Sequence, residues 1–122
     1  MKKILLAEDE DAVRALVGET IRDDSRYCLL EARNGKEALE IARREKPDLL
    51  LLDIVMPIYD GFEVCRQLKS DARTKDITII MLTALAQESN REMGRRLGAD
   101  GYFTKPFSPT ALIMKVEEAL GE

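Results

Sequence analysis

Apolar runs separated by polar loops divide the chain into two alternating kinds of segment. Continuous apolar runs that end at proline, glycine or charged residues are typical of strands buried on both faces. The sequence predicts five such strands, at residues 3–7, 26–32, 48–53, 77–82 and 101–103. The third contains four consecutive leucines, Leu49 to Leu52, with an aspartate on either side.

Five helices are expected between and after these strands. Their apolar residues recur three or four positions apart, as Leu112 and Val116 do in the last helix. Asn34 opens the second helix, and Pro109 suits the first position of the fifth. Strands that alternate with helices predict a parallel sheet covered on both faces. We therefore expect one doubly wound α/β domain over residues 1–122.

The composition is that of an ordinary globular domain. Of the 122 residues, 45% are hydrophobic and 34% are charged. The formal net charge of −4 provides no broad basic field, so direct binding of nucleic acid is not expected. The first residues do not form a signal peptide, and no stretch approaches membrane-spanning length. We expect a cytoplasmic protein that does not enter a membrane.

Cysteine and histidine usage limits the chemistry. The two cysteines, Cys28 and Cys65, have no metal-ligand spacing and are expected to be free thiols in the core. The sequence contains no histidine. This excludes a histidine general base, a histidine metal ligand and a Ser-His-Asp triad.

Polar residues collect at the carboxyl ends of the predicted strands. Glu8 and Asp9 follow the first strand, and Asp53 ends the third. Thr83 and Lys105 follow the fourth and fifth strands. Because parallel strands share this edge and open α/β sheets bind ligands there, we expect these side chains to converge. Taken alone, Asp53 is better explained as a turn cap, but the complementary groups at the other strand ends reverse that preference.

Three neighbouring carboxylates need a compensating positive charge. Two of them a few ångströms apart repel by about 4 kcal/mol at an effective dielectric constant of roughly 20, and Lys105 alone does not neutralise all three. The available ligands are oxygens, which suit a hard ion such as Mg²⁺. A metal ion, a lysine, a hydroxyl group and a carboxylate nucleophile together indicate phosphoryl transfer through an aspartyl phosphate. Glu10 and Asp11 are better explained as a solvated charge run.

The chain resembles the receiver domains of two-component response regulators. Five motifs match, in the family's order and over the whole chain. They are Glu8-Asp9, Asp53 in Leu-Leu-Asp-Ile-Val-Met-Pro, Thr83 in Met-Leu-Thr-Ala, Tyr102, and Lys105 in Lys-Pro-Phe. The resemblance implies a flavodoxin-like (βα)5 fold whose five-stranded sheet has the order 2-1-3-4-5.

The resemblance also implies a role for each matched residue. Asp53 would accept a phosphoryl group, and Lys105 and Thr83 would assist the transfer. The implied ligands of Mg²⁺, or Mn²⁺, are Asp9, Asp53, the backbone carbonyl of Val55, and Glu8 acting through water. By the same analogy, the Lys105–Pro106 peptide bond is expected to be cis.

The implied function is a signalling switch, not an enzyme that acts on an external substrate. The phosphoryl donor would be a sensor histidine kinase or a phosphotransfer protein. Phosphorylation would draw Thr83 inward, let Tyr102 rotate, and change a face within residues 88–120 that a downstream effector binds. From the sequence alone, an ordinary strand aromatic explains Tyr102 equally well. The resemblance is also compatible with a homodimer through the last helix and its neighbours.

Two apolar residues bear on the lifetime of the aspartyl phosphate. In the resembled family, the second residues after the phosphoacceptor and after the switch threonine influence dephosphorylation. Here they are Val55 and Leu85, and neither side chain can orient an attacking water molecule. We therefore expect a long-lived phosphorylated form. Rapid loss of the phosphoryl group from the purified protein in Mg²⁺ would contradict this expectation.

Two other functions are compatible with the same architecture. A metal-dependent phosphohydrolase would use Asp53 as its nucleophile, but Val55 stands where a second carboxylate would act as general acid. A flavin-binding domain would need glycine, serine or threonine in the loop after the first strand, where this sequence is acidic. Phosphate-ester turnover that Asp53→Asn abolishes would support the first, and affinity for flavin mononucleotide would support the second.

Overall fold

The computed structural model describes residues 1–84 and 88–122. Its strands are β1 (Lys2–Ala7), β2 (Tyr27–Ala32), β3 (Leu49–Asp53), β4 (Thr78–Thr83) and β5 (Gly101–Thr104). All neighbouring strands are parallel and form one sheet in the order β2-β1-β3-β4-β5. The predicted doubly wound, flavodoxin-like topology is therefore confirmed.

The helices alternate with the strands along the chain. They are α1 (Asp11–Arg22), α2 (Gly35–Glu45), α3 (Gly61–Lys69), α4 (Glu88–Arg96) and α5 (Pro109–Leu120). Residues of α1 and α5 pack on one face of the sheet, and residues of α2 and α3 pack on the other. Within the described ranges, no helix combines the length and the apolar character that a membrane span requires.

The leucine run of β3 divides the core between the two faces of the sheet. Leu50 and Leu52 pack with α2 and α3, whereas Leu49 and Leu51 pack with α1 and α5. All four side chains are fully buried. Successive residues of a strand point to opposite faces, so a strand covered on both sides needs an apolar residue at each position. Burial of each leucine contributes roughly 1.5–3 kcal/mol, which anchors the strand that ends at Asp53.

Side-chain caps fix the first turns of three helices. Asn34, Asp60 and Ser108 accept hydrogen bonds from the backbone N–H groups of Glu37, Glu63 and Ala111, respectively. These bonds satisfy donors that the first helical turn leaves without a partner. Pro109 occupies the first turn of α5, where its missing N–H costs nothing. The predicted helix starts at Asn34 and Pro109 are confirmed.

The two cysteines differ in burial, and one of them departs from the expectation based on the sequence. Cys65, on α3, is fully buried, but Cys28, on the edge strand β2, is only partly buried. The prediction that both thiols lie in the core was therefore wrong for Cys28. An edge strand has a neighbour on one side only, so its side chains are less completely covered. Both cysteines are free thiols.

Candidate functional site

The carboxyl edge of the sheet brings together side chains that are far apart in the sequence. Asp53 and Thr83 are the last residues of β3 and β4, and Glu8 directly follows β1. Lys105 directly follows β5, and its backbone N–H donates to the Thr83 carbonyl at 2.9 Å. Glu8, Asp53 and Thr83 are buried. The predicted convergence at this edge is confirmed for these four residues.

Lys105 lies at the centre of a group of carboxylates. Its Nζ atom lies 2.5 Å from Glu8 Oε1, 3.1 Å from Asp53 Oδ2 and 3.4 Å from Glu10 Oε1. The contact with Glu8 is close, yet this buried oxygen makes no well-formed hydrogen bond with any of the described residues. Carboxylate oxygens of Glu8, Glu10 and Asp53 all lie within 4.8 Å of one another.

The pKa shifts reflect this crowding of charge. Burial raises the pKa of Glu8 to about 7, because desolvation and the nearby Asp53 charge outweigh the opposing effect of Lys105. Burial by itself would lower the pKa of Lys105, but its contacts with Glu8 and Asp53 raise it above the usual value. Lys105 is therefore a permanent cation here, whereas Glu8 carries its negative charge at a cost.

In the acidic loop after β1, the position of Glu10 differs from the interpretation based on the sequence. Glu10 is not simply part of a solvated charge run, because its carboxylate belongs to the group around Lys105. Asp9, the metal ligand implied by the resemblance, is exposed and is not part of that group. Glu10 has extended backbone angles, and in an extended segment residues i and i+2 share a side. This two-residue period was the signal that pairs Glu10 with Glu8.

The loop after β3 packs tightly against Asp53. Val55 N–H lies 3.4 Å from Asp53 Oδ1, and Gly61 N–H donates to the Ile54 carbonyl at 2.8 Å. A Cβ atom at Gly61 would lie 2.3 Å from the Asp53 carbonyl oxygen, so only glycine allows this approach. The Asp60-Gly61 pair thus holds α3 against the strand end. Val55 itself is 60% exposed at the edge of the site.

The remaining predicted residues lie along β4 and β5. Tyr102 pairs with Met81 in the sheet and packs its ring against the core on the α2 and α3 face. The Lys105–Pro106 peptide bond is cis, as the resemblance implies. Leu85 lies outside the described residues, so the expectation that concerns it stays a prediction.

The donor set fits a hard divalent cation. Three carboxylates and one ammonium group, Lys105, leave two excess negative charges when all are ionised. The donors are oxygens, one buried carboxylate oxygen lacks a well-formed hydrogen bond to the residues that the structure describes, and burial disfavours ionised Glu8. Each of these features would be relieved by a cation such as Mg²⁺ or Mn²⁺ with water in its coordination shell.

The fold and this site together define a class of protein. A five-stranded doubly wound sheet carries a buried aspartate, neighbouring carboxylates and a lysine at its carboxyl edge. Residues 4–117 match the family model described as the response regulator receiver domain. The chain belongs to this family.

Individual relatives agree with this assignment. The phosphate regulon transcriptional regulatory protein PhoB of Pseudomonas aeruginosa is 42% identical over 119 residues, which cover 98% of this chain and 52% of that protein. The chain spans about half the length of the curated relatives it matches.

Solved structures give the same result. The chemotaxis protein CheY4 of Vibrio cholerae superimposes with a TM-score of 0.92 at 31% identity, covering 98% of this chain and 99% of that chain. The receiver domain of the sensor histidine kinase PA1611 from P. aeruginosa has a TM-score of 0.89 at 27% identity, covering 99% of this chain and 98% of that chain. It carries a magnesium ion coordinated in its active-site cleft.

Proposed function

We propose that Asp53 accepts a phosphoryl group from the phosphohistidine of a sensor histidine kinase or a phosphotransfer protein. The observation that carries this proposal is the position of Asp53, which is 3% exposed and lies 3.1 Å from Lys105 Nζ within a group of carboxylates. In the transfer, a carboxylate oxygen of Asp53 bonds to phosphorus as the nitrogen–phosphorus bond breaks. The electron pair of that bond stays on the imidazole, which then takes a proton from water.

The neighbouring residues stabilise the transferred group. The Lys105 ammonium group balances charge on the phosphoryl oxygens, and the Thr83 hydroxyl donates a hydrogen bond to one of them. Both roles fit the placement of these residues, since the backbone N–H of Lys105 bonds the Thr83 carbonyl. Positioning and charge neutralisation are the main requirements of phosphoryl transfer. The domain would thus promote its own phosphorylation and dephosphorylation without acting on an external substrate.

A divalent cation completes the site. We propose Mg²⁺, or Mn²⁺, held by Asp9, Asp53 and the Val55 carbonyl, with Glu8 acting through water. The bound cation would neutralise charge on the carboxylates and on the phosphoryl oxygens. Glu10 is the competing ligand, because its carboxylate, and not that of Asp9, lies beside Lys105.

Phosphorylation would be transmitted to a partner-binding face. We propose that Thr83 moves toward the phosphoryl group, that Tyr102 rotates, and that the surface within residues 88–120 changes. Because several relatives are transcriptional regulators, we propose that this surface controls an effector of gene expression in the cytoplasm. A homodimer through α5 and its neighbours would be one way to do so.

The phosphohydrolase alternative is not favoured. Val55 is apolar and exposed at the site, and a carboxylate there would be needed as general acid. Family membership points to a receiver. The acidic loop after β1, with buried Glu8, also does not suit the phosphate of a flavin.

Acetyl phosphate with Mg²⁺, followed by intact-mass measurement, tests the central proposal. The wild-type protein is expected to gain one phosphoryl group and Asp53→Asn none. Asp60→Asn is the matched control, because it removes a carboxylate from the same loop while asparagine still caps α3. Absence of an adduct on the wild type, or an adduct on Asp53→Asn, would refute the assignment of Asp53.

A further inference from the structure

Helix α4 is held to the sheet much less firmly than the other helices. Five of its nine residues are charged, and of its described residues only Gly94 is buried. A groove of about 280 Å³ lies between α4 and β5, lined in part by Met81, Arg91 and Tyr102. A helix with so few apolar residues gains little from packing, so specific contacts must keep it in place.

The C-terminal end of α4 has several such contacts. Ala99 N–H donates to the Gly94 carbonyl at 2.9 Å, and the Cys65 thiol donates to the Leu97 carbonyl at 3.6 Å. Asp100, just beyond, accepts from Lys69 Nζ at 3.0 Å and from Ile79 N–H at 2.8 Å. This end is therefore tied to α3 and β4.

The N-terminal half of α4 has a different attachment. Glu88 and Ser89 are exposed, and Glu92 pairs with arginines of its own helix. Arg91 reaches across the groove, with its guanidinium carbon 4.9 Å from the centre of the Tyr102 ring. Through this cation–π interaction, the first turns of α4 contact β5.

Tyr102 links that contact to the site. It lies on β5, three residues before Lys105. Its buried hydroxyl oxygen has no hydrogen-bond partner among the described residues. Burial raises the pKa of Tyr102, the Arg91 cation opposes this shift, and the negative charge of Asp53 adds to it. Tyr102 thus lies within electrostatic range of both Arg91 and Asp53, and no hydrogen bond from the described residues holds its hydroxyl in place.

We propose that Arg91 is a positioning residue that fastens the N-terminal half of α4 to Tyr102. When Tyr102 leaves its present position, Arg91 loses its support and the first turns of α4 are released, while the C-terminal end stays tied to Lys69 and Asp100. The inference rests on the proposed function, because phosphorylation of Asp53 is what moves Tyr102.

Amide hydrogen exchange of the full chain, followed by mass spectrometry of peptides from residues 88–97, tests this coupling. Arg91→Ala is expected to exchange about threefold faster there, the size of an exposed cation–π contact, and Arg91→Lys, which keeps a cation, should restore most of the protection. Arg95→Ala is the matched control, because Arg95 pairs with Glu92 on the same helix. It should change exchange by less than about twofold. In a Tyr102→Leu background, Arg91→Ala should cause no further increase in the exchange rate of these peptides.

Phosphorylation by acetyl phosphate separates this inference from the function on which it rests. The wild type and Arg95→Ala should show faster exchange in the first turns of α4 once the phosphoryl adduct has formed. Arg91→Ala should form the same adduct with no further increase in exchange. An adduct accompanied by the wild-type increase in Arg91→Ala would overturn the role of Arg91. Absence of an adduct on the wild type would instead reject the proposed function.

Discussion

Two largely buried lysines lie at opposite ends of the same sheet. The side chain of Lys69 is 15% exposed and that of Lys105 is 11% exposed. Lys69 Nζ donates to the backbone carbonyls of Lys75 and Ile77 and to Asp100, at 3.0, 2.7 and 3.0 Å. Its three donors are used and its charge is matched by one carboxylate. We call this end of the sheet, around Lys69 and Asp100, the closed end, because the hydrogen-bond donors of the lysine are all used and its charge is neutralised.

The carboxyl end, around Lys105, is built from the same kinds of group but is not balanced. Here one ammonium group faces the carboxylates of Glu8, Glu10 and Asp53. A neutral, saturated arrangement holds structure together, whereas an arrangement with excess negative charge is suited to bind a cation or to exchange a charged group. Both ends contain a largely buried lysine, and they differ in the number of carboxylates around it: one at Lys69 and three at Lys105.

The largest expected effect is at the closed end. Lys69→Met should lower the free energy of unfolding by about 3 kcal/mol, because it leaves two carbonyls without this donor and removes the ammonium group that pairs with Asp100. Urea unfolding measures this loss. Lys75→Met, at an exposed lysine in the same region, is the control and should change stability by less than about 0.5 kcal/mol. Equal losses for both variants would show that this clamp is not structural.

At the carboxyl end of the sheet, around Lys105, we expect the charge of Glu8 to lower the stability of the folded protein. The folded-state pKa of Glu8 is raised from 4.5 to about 7, so the folded protein binds the proton more tightly than the unfolded chain. Stability relative to Glu8→Gln should therefore fall as pH rises from 4.5 to about 7, on the order of 2 kcal/mol, and be flat above.

Parallel urea titrations of wild type and Glu8→Gln across this pH range isolate the contribution of Glu8. Groups common to both proteins cancel in the difference. If the difference in unfolding free energy between the two proteins does not vary with pH, Glu8 carries no unfavourable charge. The charges around Lys105 would then be no less balanced than those around Lys69.

The smallest expected effect distinguishes the two candidate metal ligands. Asp9→Asn should weaken Mg²⁺ binding about tenfold, or about 1.4 kcal/mol, because it removes a direct ligand. Glu10→Gln removes the same charge from the same loop but, on this assignment, no ligand, so a change of less than about threefold is expected. Isothermal titration calorimetry measures both. The reverse ranking would make Glu10 the ligand.

The central part of the site was predictable because it depends on topology. Once the strands are parallel, Asp53 and Lys105 must lie at one edge, whatever the loops do. The pairing of Lys69 with Asp100, 31 residues apart, was not predicted, because neither residue stands out in the sequence. Their contact depends on where α3 ends relative to the start of β5.

The alternation of strands and helices, the buried central strand and the edge at which the polar groups collect could all be predicted from the sequence. These features follow from hydrophobic period and from residue types at strand ends, which are local properties. The position of Glu10 beside Lys105, the partial burial of Cys28 and the contact of Arg91 with Tyr102 became evident only in the folded structure. Each of these depends on loop geometry, strand order or side-chain direction, and therefore on contacts between distant segments.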